Sequence, residues 1–346
     1  MDMTDNIKTK KNRLESLDSL RGIAALAVVL FHYTIIVHRF VPDLESPFTF
    51  EHGHYGVELF FIISGFVIFM TITRCKTGMD FIVSRFSRLY PAFWICVSLT
   101  FILGISYPLQ GQNYSFSQYL INLSMAQEYL KQPNIDGVYW SLTYELGFYF
   151  AIFCIYKLRL LGKIDYICLA WAGCAILFHF YSAYIPHPLH YLLLINKYAH
   201  LFAAGICFYQ IQKSGFTPLR ILTLLVGISA QFIVDGLLGG FIVIGFFLLF
   251  YLAVNERLPF LKNRILIFFG SISYPLYLLH QMIGFQLIDY ISHSLNFTMM
   301  PAIMFTTIIV VLLASIVTFV FDKPTTKFIR VRYKNWQLSN IEKSAG

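Results

Sequence analysis

Charged side chains are scarce in this sequence: Asp, Glu, Lys and Arg make up only 13% of its 346 residues. Soluble globular domains carry about 25% charged residues, so the composition argues against a soluble protein. The chain also has no charged block and no Gly- or Pro-rich linker that would separate folded domains. What it has instead are repeated apolar runs of about 20 residues, the length that a helix needs to cross a bilayer. The sequence therefore predicts an all-α, polytopic membrane protein.

Cysteine and histidine patterns give no indication of a metal site. The six cysteines fall within or beside apolar runs without metal-ligand spacing, so we interpret them as small buried residues. His179, His187 and His190 cluster around one loop, but no Cys or carboxylate joins them. We therefore expect loop histidines there and no bound metal.

Ten apolar segments are predicted to form transmembrane helices. They are Leu20–Val37, Val57–Ile72, Phe86–Ile105, Trp140–Tyr156, Ile167–Tyr184, Tyr191–Gln210, Leu219–Val234, Leu237–Val254, Ile265–Ile288 and Pro301–Phe321. The seventh and eighth are divided only by Asp235-Gly236, a turn dipeptide. The first run is too long for a signal peptide, so we expect it to remain as a span.

The basic residues predict the orientation of these spans. With ten spans, all but three of the 26 Lys and Arg residues lie on one side, the exceptions being Arg39, Lys131 and Lys197. Cytoplasmic loops are enriched in Lys and Arg, so both termini are predicted to be cytoplasmic. The same distribution accounts for the net charge of +8 and argues against a nucleic-acid partner. The predicted parts are a basic tail (1–16), a transmembrane domain (17–325) and a cytoplasmic tail (326–346).

Three arginines fall at the predicted cytoplasmic ends of spans. Arg21 enters the first span, and Arg85 and Arg88, three residues apart on one helix face, begin the third. Burying a charge in a bilayer costs about 2.5–3.5 kcal/mol, so such residues often mark function. The guanidinium fork suits phosphate. The alternative is anchoring, in which the side chains reach lipid headgroups.

A different set of polar residues lies in the predicted outer half. His32 is eleven positions after Arg21, on the same helix face. Titratable groups at similar depth stand on four spans: His32, Glu58, Glu145 and His280. Together they predict a shared polar cavity, in which a carboxylate orients a histidine that acts as a general base. Four unrelated buried polar residues are the alternative.

Five blocks in order resemble the acyltransferase 3 family of integral membrane acyltransferases. The first runs from Arg13 through Ser-Leu-Asp-Ser-Leu-Arg21-Gly to His32-Tyr33. The others are Gly56-Val-Glu58-Leu-Phe-Phe-Ile-Ile-Ser64-Gly, Arg85-Phe-Ser-Arg88, Trp140-Ser-Leu-Thr-Tyr-Glu145 and Ser273-Tyr-Pro-Leu-Tyr277-Leu-Leu-His280. The similarity covers about Arg13 to Arg330. In two places the chain departs from many members, which have Asp where Glu58 stands and a second acid where Leu146 stands.

The resemblance implies an O-acyltransferase of the cell inner membrane that modifies glycans or other hydroxylated products. Its donor would be cytoplasmic acyl-coenzyme A (acyl-CoA) as a co-substrate, and we expect acetyl rather than a fatty chain. Arg21, Arg85 and Arg88 would bind the donor, and His32 would be the base, with Glu58 or Glu145 beside it. The remaining expected contacts to the acceptor or the oxyanion are Ser141, Tyr144, Tyr277 and His280.

Two other functions and two reaction routes stay open on the sequence. A transporter or flippase of a polysaccharide precursor would also bury charges, although no pair of broken helices in matching halves is visible. A structural component of an envelope assembly is the third reading. For the enzyme, acyl transfer can be direct or pass through an acyl-His32 intermediate. Some family members append an extracytoplasmic domain, which we do not expect here.

Overall fold

The computed structural model describes residues 3–46, 48–109, 111–184 and 197–345, and within these ranges all regular structure is helical. The helices are α1 (Met3–Thr34), α2 (Gly56–Ile72), α3 (Gly78–Ser106), α4 (Phe116–Asn122), α5 (Trp140–Lys157), α6 (Ile164–Tyr181), α7 (Ala199–Ser214), α8 (Pro218–Val254), α9 (Arg264–Leu279), α10 (Met282–Ser294), α11 (Met299–Ile316) and α12 (Lys323–Ala345). A π-helical stretch, Val317–Asp322, joins the last two.

Seven helical segments in the described ranges are long and apolar enough to cross a membrane, and the bent pair α9–α10 makes an eighth if it is one span. The seven are Glu15–Arg39, Glu51–Ile72, Gly78–Ser106, Gly137–Lys157, Leu161–Tyr184, Pro218–Val254 and Met299–Asn340. Large apolar side chains such as Phe241, Ile308 and Leu312 remain exposed on them, as expected for a lipid-facing surface. The prediction of an all-α, polytopic membrane protein is confirmed.

The predicted ninth span, Ile265–Ile288, is wrong as a continuous helix. Helix α9 ends at Leu279, α10 begins at Met282, and the two axes differ by 77°. Pro275 removes one backbone donor from the last turns of α9. The Met282 N–H is instead bound by the side chain of Asp136. The break leaves His280 at the end of α9.

Helix α8 reverses its direction at Gly236, where φ is +73°. A Cβ atom on Gly227 would lie 3.8 Å from Cζ of Phe247, twenty residues further on. The two halves of α8 therefore lie side by side, in agreement with the division predicted at Asp235-Gly236. The predicted sixth span begins at Tyr191, outside the described residues, and its described part is α7.

The third predicted span begins earlier than expected. Helix α3 starts at Gly78 rather than Phe86, because Thr77 and Asp80 form a reciprocal capping box. Arg85 and Arg88 therefore lie two to three turns inside the helix. This places both guanidinium groups against the neighbouring helices rather than at a frayed helix end.

Close backbone contacts hold the helices around the site. Helix α1 packs along α9, and α2 packs along α7. At the second contact, a Cβ atom on Gly205 would lie 2.1 Å from the backbone oxygen of Ile62 and 2.7 Å from the nitrogen of Phe66. Only glycine fits at position 205, because the atoms that a Cβ would meet belong to the backbone of α2 and not to a flexible side chain that could move aside.

We expect Gly205→Ala to lower the thermal stability of the purified protein. The added methyl group must push two backbones apart, an overpacking that costs about 1–3 kcal/mol. Gly245→Ala is the control, since nothing lies within 4 Å of a Cβ atom there. Thermal unfolding in detergent, followed by tryptophan fluorescence, compares the two variants. Equal melting temperatures would contradict the tight contact.

Candidate active site

A cavity of about 160 Å³ lies between α1, α2, α3, α5 and α9. We call it the inner cavity. Its polar lining includes Arg21, Arg85, Arg88, Ser141, Glu145 and Tyr277. The structure therefore brings Glu145 of the predicted outer set, with Ser141 and Tyr277, to the three arginines of the predicted cytoplasmic set. The other three titratable residues of the outer set, His32, Glu58 and His280, are not among the lining residues, so the predicted shared cavity is wrong for them. Tyr144 is not among the lining residues and packs instead against Phe61 and Trp140.

Two histidines form a hydrogen-bonded pair at the end of α9. Nδ1 of His32 lies 3.2 Å from Nε2 of His280, which is completely buried. Each Nδ1 also faces a backbone carbonyl, Val28 O at 2.9 Å from His32 and Tyr277 O at 2.8 Å from His280. A carbonyl only accepts, so both Nδ1 atoms carry the proton when the rings are neutral. Nε2 of His32 then keeps its lone pair, and no described residue binds it.

His32 has a different partner from the one that its sequence context predicts. Neither Glu58 nor Glu145 is hydrogen-bonded to it in the described structure. The reason lies in the faces of α2, since Val57, Phe61 and Ser64 line the inner cavity while Glu58 is turned away from it. Glu58 is buried, and its Oε2 has no hydrogen-bond partner among the described residues. The charged groups acting on it are Asp235 and Lys197.

Glu145 is held in the wall of the inner cavity by two hydroxyl groups. Ser64 Oγ donates to Glu145 Oε1 at 3.0 Å, and Tyr149 OH donates to the same oxygen at 2.5 Å. The carboxylate also exerts an attractive charge on Arg21. Glu145 therefore fixes one wall and balances part of the positive charge inside the bundle.

The three arginines differ in how well they are paired. Arg21 lies 3.5 Å from Asp18, and Arg88 lies 3.4 Å from Asp322. Arg85 donates to Ser84 Oγ at 2.9 Å, and its buried Nε has no partner among the described residues. No carboxylate in the described chain forms an ion pair with Arg85. Its guanidinium group is therefore available to an anionic ligand in the inner cavity.

Tyr277 connects the inner cavity with the histidine pair. Its hydroxyl lies 2.8 Å from Ser141 Oγ, and both hydroxyls lie within bonding distance of Val138 O, at 3.2 and 3.0 Å. The Tyr277 ring is 5.6 Å from the ring of His280, centroid to centroid. Two hydroxyl groups thus line the cavity near the imidazoles, and each can stabilise developing negative charge when it turns its proton away from Val138 O.

Asp136 is a residue of this region that our sequence analysis missed. It is completely buried, and its carboxylate accepts from Val138 N at 3.1 Å and from Met282 N at 3.0 Å. Asp136 therefore links the start of α5 to the break between α9 and α10, where His280 lies. An Asp-Gly pair immediately before a helical pattern is an N-cap indication that could have identified it.

A second cavity of about 640 Å³, which we call the basic vestibule, adjoins the inner cavity and shares Arg21 and Arg88 with it. The sequence does not predict this vestibule, because the lysines on its far wall indicate only the orientation of the spans. Concerning metals, no group of three His, Cys, Asp or Glu suited to an ion is present in the described part of the chain. His187 and His190 lie outside it, and His179 is exposed.

Comparison with known proteins gives one family model and several curated relatives. Residues 14–320 match the family model for an acyltransferase domain, acyltransferase 3. O-acetyltransferase OatA of Staphylococcus aureus is 27% identical over 315 residues, 77% of this chain and 50% of OatA. Acyltransferase MdmB of Streptomyces mycarofaciens is 29% identical over 174 residues, 47% of this chain and 44% of MdmB. The chain spans about half the length of these curated relatives. No solved structure shows a significant match.

We expect Asp136→Ala to destabilise the protein, because two buried backbone donors lose their acceptor. Each buried unsatisfied donor costs about 1–3 kcal/mol. Asp43→Ala, in an exposed turn, is the matched control and should melt like the wild type. Thermal unfolding in detergent measures both variants. An unchanged melting temperature for Asp136→Ala would show that the carboxylate does not hold the helix break.

Proposed function

The chain belongs to the acyltransferase 3 family, and from this we propose that it is a membrane O-acyltransferase that uses cytoplasmic acyl-CoA, with acetyl as the acyl group. The acceptor we propose is a hydroxyl group of a cell-surface or exported glycan. The observation that supports this most is the inner cavity, which has arginines at one end and hydroxyl donors beside a histidine pair at the other. The arginines suit the phosphates of an acyl-CoA donor, and the hydroxyl donors and histidines suit the reaction of its thioester with a hydroxylated acceptor.

We also propose ten membrane spans with both termini in the cytoplasm of the inner membrane. The bent pair α9–α10 and the short helix α7 each add a span to the seven candidates, and the reversal at Gly236 divides α8 into two. With ten spans, the basic residues gather on one side, as the positive-inside rule requires. The arginine end of the inner cavity would then face the cytoplasm, where acyl-CoA is available.

The donor would bind through its phosphates. Arg85 is the strongest candidate because it has no acidic partner in the described structure, and Arg21 and Arg88 line the same cavity. Arginine can bind phosphate through two parallel hydrogen bonds, and low polarity around the site strengthens them. The acyl end of the donor would then extend along the inner cavity toward Ser141 and Tyr277.

His32 would act as the general base through Nε2, the nitrogen whose lone pair is free. It takes the proton of the acceptor hydroxyl as that oxygen attacks the thioester carbonyl carbon. The C–S bond then breaks, and the thiolate of coenzyme A takes the proton from His32. His280 holds the His32 ring through Nδ1, and Ser141 and Tyr277 donate to the oxyanion. An acyl-His32 intermediate is the alternative route.

The two glutamates have positioning roles in this proposal. Glu145 holds Ser64 and Tyr149 and balances Arg21, so it shapes the wall along which the donor lies. Glu58 is buried away from the inner cavity, where the exposed Asp235 and Lys197 are the charged groups that act on it. Glu58 therefore takes neither the wall-shaping role of Glu145 nor the role of His280, which holds the His32 ring.

His32→Ala should reduce acyl transfer by about 10²- to 10⁴-fold, the usual contribution of a general base. The assay follows radiolabelled acetyl groups from acetyl-CoA into the glycan fraction of membrane vesicles. His293→Ala is the control, because His293 is exposed and, among the described residues, pairs with Asp289 alone. Wild-type rates for a folded His32→Ala protein would contradict the base assignment. Glycan movement without consumption of acetyl-CoA would favour a transporter.

The double variant Arg85→Gln/Arg88→Gln should raise the KM for acetyl-CoA about tenfold or more, because charge-assisted hydrogen bonds to phosphate are lost. Its kcat at saturating donor should change much less. Arg39→Gln, an exposed arginine outside both cavities, is the control. A lower kcat with an unchanged KM would exclude the arginines as phosphate ligands.

A further inference from the structure

The basic vestibule has one wall that consists of a helical stripe of cations. Lys323, Lys327, Arg330 and Lys334 follow one another at i, i+4, i+7 and i+11 on α12, so they share one helix face. Arg21 and Arg88 complete the cationic lining from the opposite side. With six cations in one cavity, the vestibule can accommodate several anionic groups at once.

Helix α12 is attached to α3 by specific hydrogen bonds. Arg330 Nε donates to Ser87 Oγ at 3.1 Å. Further along, Tyr333 OH and Gln337 Nε2 donate to Asp80 Oδ1 at 2.8 and 2.7 Å. The continuous π-helical link to α11 also fixes where α12 starts. The cationic stripe is therefore held against the bundle at a defined distance from Arg88.

The positive charge in the vestibule exceeds the negative charge that the protein supplies. Only two carboxylates line it, and each already has an arginine partner: Asp18 pairs with Arg21, and Asp322 pairs with Arg88. Within the described chain, Lys327, Arg330 and Lys334 form no ion pair. Arg330 is instead repelled by Arg85 and Arg88. Such an accumulation of like charge is stabilised when an anionic ligand binds.

We propose that the basic vestibule binds the 3′-phosphorylated adenosine diphosphate portion of the acyl-CoA donor, with the 3′-phosphate on Lys327 and Lys334. This inference rests on the proposed function. A terminal phosphate carries about −1.5 to −2 charge at neutral pH, and a diphosphate adds more. Because Arg21 and Arg88 line both cavities, a ligand seated in the vestibule can extend directly into the inner cavity.

A phosphate on a membrane lipid shares this chemistry, but the shape of the site favours the nucleotide. A lipid headgroup needs only a surface of cations at the bilayer. The vestibule instead leads to the half-buried Arg85 and Glu145 through its two shared arginines. A molecule with phosphates at one end and a reactive group at the other uses both spaces.

The test is equilibrium binding of coenzyme A and 3′-dephospho-coenzyme A to the full-length protein in phosphatidylcholine nanodiscs. Wild-type protein should bind coenzyme A about tenfold tighter or more, the usual effect of charge-assisted hydrogen bonds. Lys327→Gln/Lys334→Gln should weaken coenzyme A binding to the level of the dephospho form and leave the dephospho form unchanged. Arg332→Gln is the matched control, an exposed cation on α12 outside the vestibule.

The possible failures are distinguishable. If the double lysine variant still prefers coenzyme A as strongly as the wild type does, the vestibule assignment is overturned while the proposed function stands. If the wild type binds neither compound, the acyl-CoA donor itself is excluded, and both proposals fall. A repeat with phosphatidylglycerol in the nanodiscs separates the lipid source. A variant that loses bound phosphatidylglycerol but keeps wild-type coenzyme A binding would identify the stripe as a lipid site and overturn the inference.

Discussion

The contact between α1 and α9 is the constraint on which the site depends. A Cβ atom on Gly22 would lie 2.7 Å from the backbone nitrogen of Gly270, so the two backbones touch one residue after Arg21. His32 and His280 follow these glycines by the same ten residues, and their imidazoles meet at 3.2 Å. Equal offsets on both helices mean that α1 and α9 run parallel in register. One glycine contact thus sets both the position of Arg21 and the histidine pair at the far end.

The distribution of buried charge separates the two ends of the inner cavity. At the arginine end, Arg21 and Arg88 are paired with acids, whereas Arg85 forms no ion pair in the described structure, and Glu145 is held by hydroxyl groups instead. At the histidine end, the described contacts are between hydroxyls, carbonyls and imidazole rings, without a carboxylate. Because an uncompensated charge in a low-polarity interior is costly, the arginine end favours an anionic ligand and the histidine end a neutral one. This asymmetry matches a phosphorylated donor and a hydroxylated acceptor.

The sequence was informative about composition and motifs and much less about how helix faces meet. Apolar runs revealed the spans, and the ordered blocks located Arg21, Arg85, Arg88, His32 and Glu145. Periodicity assigns residues to a face of one helix, but it does not state which neighbouring helix covers that face. For that reason a carboxylate was expected beside His32, whereas the helix break after α9 brings His280 there. The break itself depends on Asp136, which lies 146 residues away along the chain from Met282.

The sizes of the two cavities bear on which acyl group is transferred. The basic vestibule, at about 640 Å³, is four times as large as the inner cavity, at about 160 Å³. If the vestibule receives the nucleotide, as we infer above, the smaller inner cavity must hold the thioester arm together with the acyl group. Phe60, Phe61 and Leu142 form apolar walls of the inner cavity. Protein interiors are closely packed, so these walls do not expand easily around a larger ligand. A short acyl group fits this arrangement, whereas a fatty chain would need an exit between the helices. The small volume of the inner cavity therefore agrees with the acetyl group that we propose.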